Sequence, residues 1–285
     1  MADHVTLFEV GPRDGLQNES RMIPTADKIA LTDMLSASGL TRIEAASFVS
    51  PKWVPQMADA ADVMAGIKRR EGVRYAALTP NLRGLEGALA AEADEVAIFV
   101  SASEGFSKAN INATMAQSLD RLKPVAQAAL EAGVLLRGYV SCVTDCPFDG
   151  PVPPENVARM AEALMEMGCY EVSLGDTIGH ANADSTNRML DAVLPVVPAA
   201  QLAGHFHDTK GTALENIDVS LERGLRTFDA AVGGLGGCPY APGASGNVAT
   251  EAVVDHLAQR GFVTGIDPAA LAKAGAFARS LVSGG

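Results

Sequence analysis

The stretch PPENVARMAEALMEMGCYEVSL (Pro153–Leu174) decides the fold. Pro153-Pro154 open an amphipathic segment, Glu155–Met167, because a first helical turn leaves its N–H groups unpaired and so tolerates proline. Gly168 stands where a helix ends in a left-handed residue, and the short apolar run Glu171–Leu174 after it reads as a buried strand. The same order of helix, glycine and strand recurs along the chain. Strands are expected at Val5–Val10, Thr41–Phe48, Arg74–Leu78, Glu95–Val100, Val134–Ser141, Glu171–Leu174, Leu202–Phe206 and Thr227–Val232. Gly39, Gly72, Gly133 and Gly224 punctuate the chain as Gly168 does, and Ala26–Ser36, with Thr25 as its N-cap, and Thr212–Arg223 are further helices. Eight strand-then-helix units predict an α/β fold, the (β/α)8 or TIM barrel, with near-continuous apolar strands buried on both sides. A doubly wound open sheet is the rival, but no glycine-rich phosphate fingerprint follows the first strand. Asp267–Leu281 reads as an additional C-terminal helix, and no linker interrupts the chain, so residues 1–285 are expected to form a single domain.

Composition narrows the partners. Of 285 residues, 48% are hydrophobic and 20% charged, enough for a sizeable core. A net charge of −12 argues against nucleic acid, which needs basic stripes, but leaves room for an anionic small molecule held by a few local cations. No apolar stretch is long enough to span a bilayer. A strand beginning at Val5 leaves no space for a signal or transit sequence, so a cytoplasmic location is expected. Cys142, Cys146, Cys169 and Cys238 lack zinc-site spacing and read as reduced thiols.

In such a barrel the chemistry sits at the carboxyl ends of the strands, and polar residues collect there. The first strand runs into Gly11-Pro12-Arg13-Asp14-Gly15-Leu16-Gln17, the second carries Glu44, and the sixth ends in Gly175-Asp176-Thr177. The seventh ends in His205-Phe206-His207-Asp208, which places the two imidazoles on one strand face. Strand one neighbours strand eight in a closed barrel, so Asp14, His205, His207 and Asn247 are expected to converge across the mouth. Two nitrogens, a carboxylate oxygen and an amide oxygen favour Mg²⁺ or Mn²⁺ over a closed thiolate zinc site. Asp208 points to the other face. The eighth strand leads into the loop Gly234–Asn247, rich in glycine and proline, which presents one thiol, Cys238.

These residues carry a family resemblance. Glu9–Glu19, Ser47–Met57, Arg137–Cys142, Ser173–Thr177, the His205/His207 pair and above all the Gly-Leu-Gly-Gly-Cys-Pro-Tyr loop at Gly234–Tyr240 resemble the 3-hydroxy-3-methylglutaryl-CoA lyases over nearly the full length. Arg-Asp-Gly and His-x-His mark a wider superfamily of carbon–carbon bond-forming and bond-breaking barrels; the cysteine loop is specific to the lyases. The resemblance implies metal ligands at Asp14, His205, His207 and Asn247, Arg13 at the substrate thioester carbonyl, and Cys238 as a catalytic thiol. It further implies roles in activity for Glu44 and Asp176, a CoA thioester as substrate, and a homodimer. Glu44, Asp176 and His205 are all candidates for the general base, His205 the weaker because a lone pair given to a metal cannot accept a proton. Gln17 is a candidate contact near the metal, and Lys108, with Asn110, a candidate for the CoA phosphates. A lyase for a bulkier 3-hydroxy-3-alkylglutaryl-CoA, such as the isohexenyl compound, is the nearest rival. Condensing synthases, zinc hydrolases and a non-catalytic binding barrel fit the residues less well. The chain departs from the family at Phe206, where cysteine is common, and at His180.

Overall fold

The computed structural model describes residues 3–236 and 246–282. Among them, eight parallel strands close into a barrel in chain order: β1 (Thr6–Glu9), β2 (Arg42–Ser47), β3 (Arg74–Leu78), β4 (Glu95–Ser101), β5 (Leu135–Ser141), β6 (Glu171–Asp176), β7 (Leu202–Phe206) and β8 (Thr227–Ala230). The sheet closes where β1 pairs with β8, from Thr6 opposite Thr227 to Glu9 opposite Ala230. Helices return the chain between strands: α1 (Thr25–Ala37), α2 (Ala60–Gly66), α3 (Leu82–Ala90), α4 (Glu104–Ile111), α5 (Met115–Glu131), α6 (Pro154–Glu166), α7 (Ala183–Val193), α8 (Ala213–Glu222) and α9 (Thr250–Gln259). The additional C-terminal helix is α10 (Pro268–Val282). Each expected strand is present, Arg74–Leu78 and Leu202–Phe206 with the expected bounds and the others with ends shifted by at most two residues, and Gly39, Gly72, Gly133, Gly168 and Gly224 all have positive φ, between 70° and 95°. No helix among the described residues is long and apolar enough to cross a membrane.

Two expectations need correction. Thr25 is the first helical residue of α1 rather than its N-cap, because the Pro24 carbonyl already accepts the Asp27 and Lys28 amides. The Thr25 hydroxyl instead donates to Asp59 Oδ2 at 2.7 Å. The larger correction concerns the barrel interior. The strand faces turned to the helices are apolar as expected, contributed by residues such as Ile43, Val96, Leu136, Val172, Leu174 and Phe228. The inner face instead carries a buried network of charges.

Within it, Arg137 is wholly buried and reaches Asp229 Oδ1 at 2.6 Å and Glu171 Oε1 at 2.8 Å. Arg42 takes Glu171 Oε1 at 2.9 Å and lies 3.4 Å from Glu95, which Arg74 approaches at 3.8 Å from outside. Three guanidiniums thus face three carboxylates. The Phe8 ring fills the space between them, with the Arg137 and Arg42 guanidinium carbons 4.0 and 4.5 Å from its centroid. Burying any one of these charges alone would cost several kcal/mol, so the set is tolerable only because every member is paired.

Candidate active site

The site begins where β1 ends. The Val10 carbonyl accepts the amides of Arg13, Asp14 and Gly15, at 3.1, 2.7 and 3.2 Å, so Gly11–Gly15 winds as one wide π-type turn. A Cβ on Gly11 would lie 2.6 Å from Glu9 Oε1, which explains the glycine. Glu9 itself is wholly buried and accepts the Gly11 and Val232 amides, both at 2.8 Å, and the Thr250 hydroxyl at 2.7 Å. It thereby ties the end of β1 to the chain after β8 and to the start of α9. Burial pushes its carboxyl up to about 7, against the pull of those donors.

The turn sends Arg13 and Asp14 over the barrel mouth. Arg13 donates from Nε to Glu44 Oε2 at 2.5 Å and from Nη1 to Asp14 Oδ1 at 2.6 Å, which fixes the guanidinium plane. Burial opposes the charge on Arg13, but Glu44 and Asp14 outweigh it and hold the group protonated. Asp14, His205 and His207 bring ligand atoms within 4.8 Å of one another. Burial would raise the Asp14 pKa; Arg13 and the two histidines pull it down to about 2, so it is a carboxylate. His207 is held neutral, its pKa lowered to about 4 by burial and by the neighbouring His205.

His205 Nδ1 faces Asp229 Oδ2 at 3.1 Å, and Asp229 is itself held by Arg137 and by the Ser173 hydroxyl at 2.7 Å. Burial lowers the His205 pKa, and Asp229 more than reverses that. With Nδ1 given to Asp229, the ring offers Nε2 to the mouth, the usual arrangement of a ligating histidine oriented by a carboxylate. Asn247 enters from the chain leading to α9. Its amide nitrogen donates to Asp14 Oδ2 at 2.8 Å and to the Leu235 carbonyl at 3.2 Å, which leaves its oxygen as the atom with electrons to offer a cation. A carboxylate, two imidazoles and an amide oxygen, at this spacing and in these ionisation states, fit a divalent cation that keeps open positions for oxygen ligands.

Beside this set lies a cavity of about 270 Å³. Arg13, Asp14, Gln17, His205 and His207 line one side of it, while Val49, Val54, Leu78, Phe99, Phe106 and Tyr139 make an apolar wall. The residues expected from the sequence therefore sort into three groups. Arg13, Asp14, His205, His207, Asn247 and Gln17 come together, Gln17 donating to Asp14 Oδ1 at 3.2 Å. Glu44 stands one step behind, against Arg13. Asp176, Lys108 and His180 do not line the cavity. Asp176 is on the outward face of β6, where its carboxylate accepts the His180 and Ala181 amides at 3.1 and 3.0 Å and shapes the turn; burial raises its pKa to about 6. Lys108 is exposed on α4, whereas Phe106 and Asn110 of that helix do line the cavity. Cys238 lies outside the described residues. Phe206 is buried away from the mouth, and Cys142 and Cys146 are buried free thiols, as expected.

Sequence reasoning passed over Asp229, Arg137, Glu171 and Tyr139. The charges of Asp229, Arg137 and Glu171 stand out in runs that otherwise read as buried strand, but which partners they meet is not local information, and Tyr139, a common strand residue, does not stand out at all.

A TIM barrel with an Asp–His–His set and an anchored arginine at the carboxyl ends of its strands is of the class of barrel enzymes whose mouth has the donors to hold a divalent cation. The chain belongs to the HMGL-like family, whose model matches residues 4–277. The 3-hydroxy-3-isohexenylglutaryl-CoA/hydroxy-methylglutaryl-CoA lyase of Pseudomonas aeruginosa is 58% identical over 271 residues, 95% of this chain and 90% of that protein. The crystal structure of the HMG-CoA lyase from Brucella melitensis is 62% identical, with a TM-score of 0.98 covering 99% of this chain and all of that one (100%). An HMG-CoA lyase from Acinetobacter baumannii, solved with coenzyme A and 3-methylmalate, is 40% identical at a TM-score of 0.93, over 99% of this chain and 92% of that one.

Proposed function

We propose that this chain, acting as one catalytic domain, is a divalent-cation-dependent carbon–carbon lyase that cleaves (S)-3-hydroxy-3-methylglutaryl-CoA to acetyl-CoA and acetoacetate. The observation that carries this reading is the Asp14–His205–His207 set beside an arginine fixed by Glu44, in a chain that shares more than half its residues with such lyases.

The reaction explains the residue types. Cleaving C2–C3 removes the proton of the tertiary hydroxyl, turns C3 into the ketone of acetoacetate and moves the bond's electron pair to C2. Conjugation with the thioester puts that charge on the carbonyl oxygen, and protonation at C2 completes acetyl-CoA. A bound Mg²⁺ or Mn²⁺, held by Asp14, His205, His207 and Asn247, would supply Lewis acidity toward the hydroxyl and carboxylate oxygens of the substrate.

The protein does the rest. Arg13 stays protonated and, oriented by Glu44, presents its remaining donors to the thioester oxygen as charge develops there. Glu44 acts by positioning Arg13, and Asp176 by shaping the turn after β6. Of the three candidate bases only His205 faces the cavity, but with Nδ1 on Asp229 and Nε2 offered to the cation it has no lone pair left, so the hydroxyl proton passes to water in the cavity. Cys238 is the proposed proton donor to C2. The apolar wall of Val49, Val54, Leu78, Phe99 and Phe106 favours a second substrate, a 3-hydroxyglutaryl-CoA with a longer 3-alkyl group, which the Pseudomonas relative also names.

An assay for acetyl-CoA, the product common to all 3-alkyl thioesters, run with and without chelator and with acetoacetate read as well for the methyl compound, tests the reading on a series of them. Chelator-sensitive release of acetoacetate from the methyl compound supports it. Turnover of the isohexenyl compound far above that of the methyl compound transfers the assignment to the bulkier substrate.

A further inference from the structure

Tyr139 stands apart from the residues assigned so far. It is on the inward face of β5, lines the cavity and is 7% exposed. Its ring is fixed on several sides: the Arg13 guanidinium carbon lies 5.6 Å from the ring centroid, that of Arg137 4.9 Å, and the His205 ring meets it edge-on at 6.3 Å. A phenylalanine would keep all of those contacts. The hydroxyl alone is unexplained, since it has no hydrogen-bond partner among the described residues. Buried polar atoms without partners are rare, and in a cavity wall an unmet donor marks a place that a ligand completes. Glu44 Oε1, from the carboxylate that anchors Arg13, is likewise without a partner. A neutral phenol carries its own proton, so the hydroxyl is a donor.

We infer that Tyr139 is a catalytic residue whose hydroxyl donates a hydrogen bond to the thioester oxygen of the bound substrate, beside Arg13. Arg13 gives Nε to Glu44 and Nη1 to Asp14, and it lines the cavity, so Nη2 is the nitrogen that neither carboxylate takes. Two donors of different kind, one cationic and one neutral, then converge on the atom that becomes the enolate oxygen. No proton changes hands at Tyr139. The electron pair of the broken C2–C3 bond passes into the enolate, and the phenol stabilises the charge there, as an oxyanion-hole donor does.

The inference rests on the proposed lyase reaction, so the wild-type protein is assayed first; a wild type that cleaves none of the 3-hydroxy thioesters sinks that reading rather than this one. The variant is Tyr139→Phe. Its kcat for cleavage is expected to fall on the order of 10²-fold, as for loss of one oxyanion donor, with KM within about twofold of wild type. Mn²⁺ affinity by calorimetry and the thermal midpoint stay unchanged. A second measurement locates the hydroxyl. Exchange of the acetyl-CoA methyl protons with deuterium from D₂O forms the same enolate without a 3-hydroxyl or a carbon–carbon bond, and it should slow in parallel. Unchanged kcat overturns the inference. So does slowed cleavage with undiminished exchange, which places the hydroxyl at the other end of the substrate, and so does loss of activity accompanied by a lowered melting midpoint and weaker Mn²⁺ binding.

Discussion

A single carboxylate, Asp229, couples the charged barrel interior to the mouth. It receives Arg137 on one side, Ser173 on another and His205 Nδ1 on the third, with no exposure to solvent. Burial raises its pKa, and Arg137 and His205 bring it far below the usual carboxylate range, so it stays ionised. An ionised partner at Nδ1 fixes the tautomer and ring angle of His205 and leaves Nε2 for a cation. Asp229→Asn keeps the shape and removes the charge. It should weaken Mn²⁺ binding roughly 10–100-fold, the usual cost of losing such an outer partner. Titration calorimetry on metal-free protein reads this without any substrate, and affinity equal to wild type would remove Asp229 from the site. Asp229 escaped sequence reasoning because its meaning is tertiary: Thr-Phe-Asp-Ala is a plausible strand with or without a partner for the charge. His205 and His207 were legible for the opposite reason, since strand geometry alone puts i and i+2 on one face.

At the scale of elements, the strands were readable to within one or two residues because each is a short apolar run bounded by glycine or a polar turn. Their inner faces were not, since no local pattern says that Arg42, Glu95, Arg137, Glu171 and Asp229 meet. The loop-to-helix residues show the same split: Lys108 and Asn110 share α4, and only the fold decides which of them reaches the cavity. Glu9 binds three elements together and gives this scale its prediction. Its carboxyl ionises at about 7 in the folded chain, against 4.5 for the ordinary group. Between those values the native protein holds a proton that the unfolded chain has released, so stability falls as pH rises through this window and levels off above it. The full effect is on the order of 3 kcal/mol for a shift of this size. Glu9→Gln stays neutral, accepts both amides through its oxygen and can donate to the Thr250 hydroxyl. Its thermal midpoint should match wild type near pH 5 and exceed it at pH 8. Parallel curves across that range would show that Glu9 ionises normally.

For the whole molecule, the proposed cation ligands come from distant parts of the chain: Asp14 after β1, His205 and His207 at β7, and Asn247 just before α9. They meet only because β1 closes on β8 and lies one strand from β7. Without a cation, the direct links among these ligand side chains include the hydrogen bond from Asn247 to Asp14. A bound cation would join the first strand of the barrel to the last two, and such a link exists only in the folded state. Binding must therefore raise stability by mass action, by about 2.7 kcal/mol when the free cation stands at 100 times its dissociation constant. In a chain somewhat larger than 250 residues, where 1 kcal/mol moves the midpoint by roughly 2–4 °C or slightly less, the expected rise is about 5 °C. Calorimetric scans with Mn²⁺, with Mg²⁺ and with chelator measure it directly. His207→Ala should unfold at nearly the same temperature as metal-free wild type and respond weakly to either ion. A wild-type midpoint indifferent to both cations, or a His207→Ala midpoint that still climbs with them, would place the cation elsewhere.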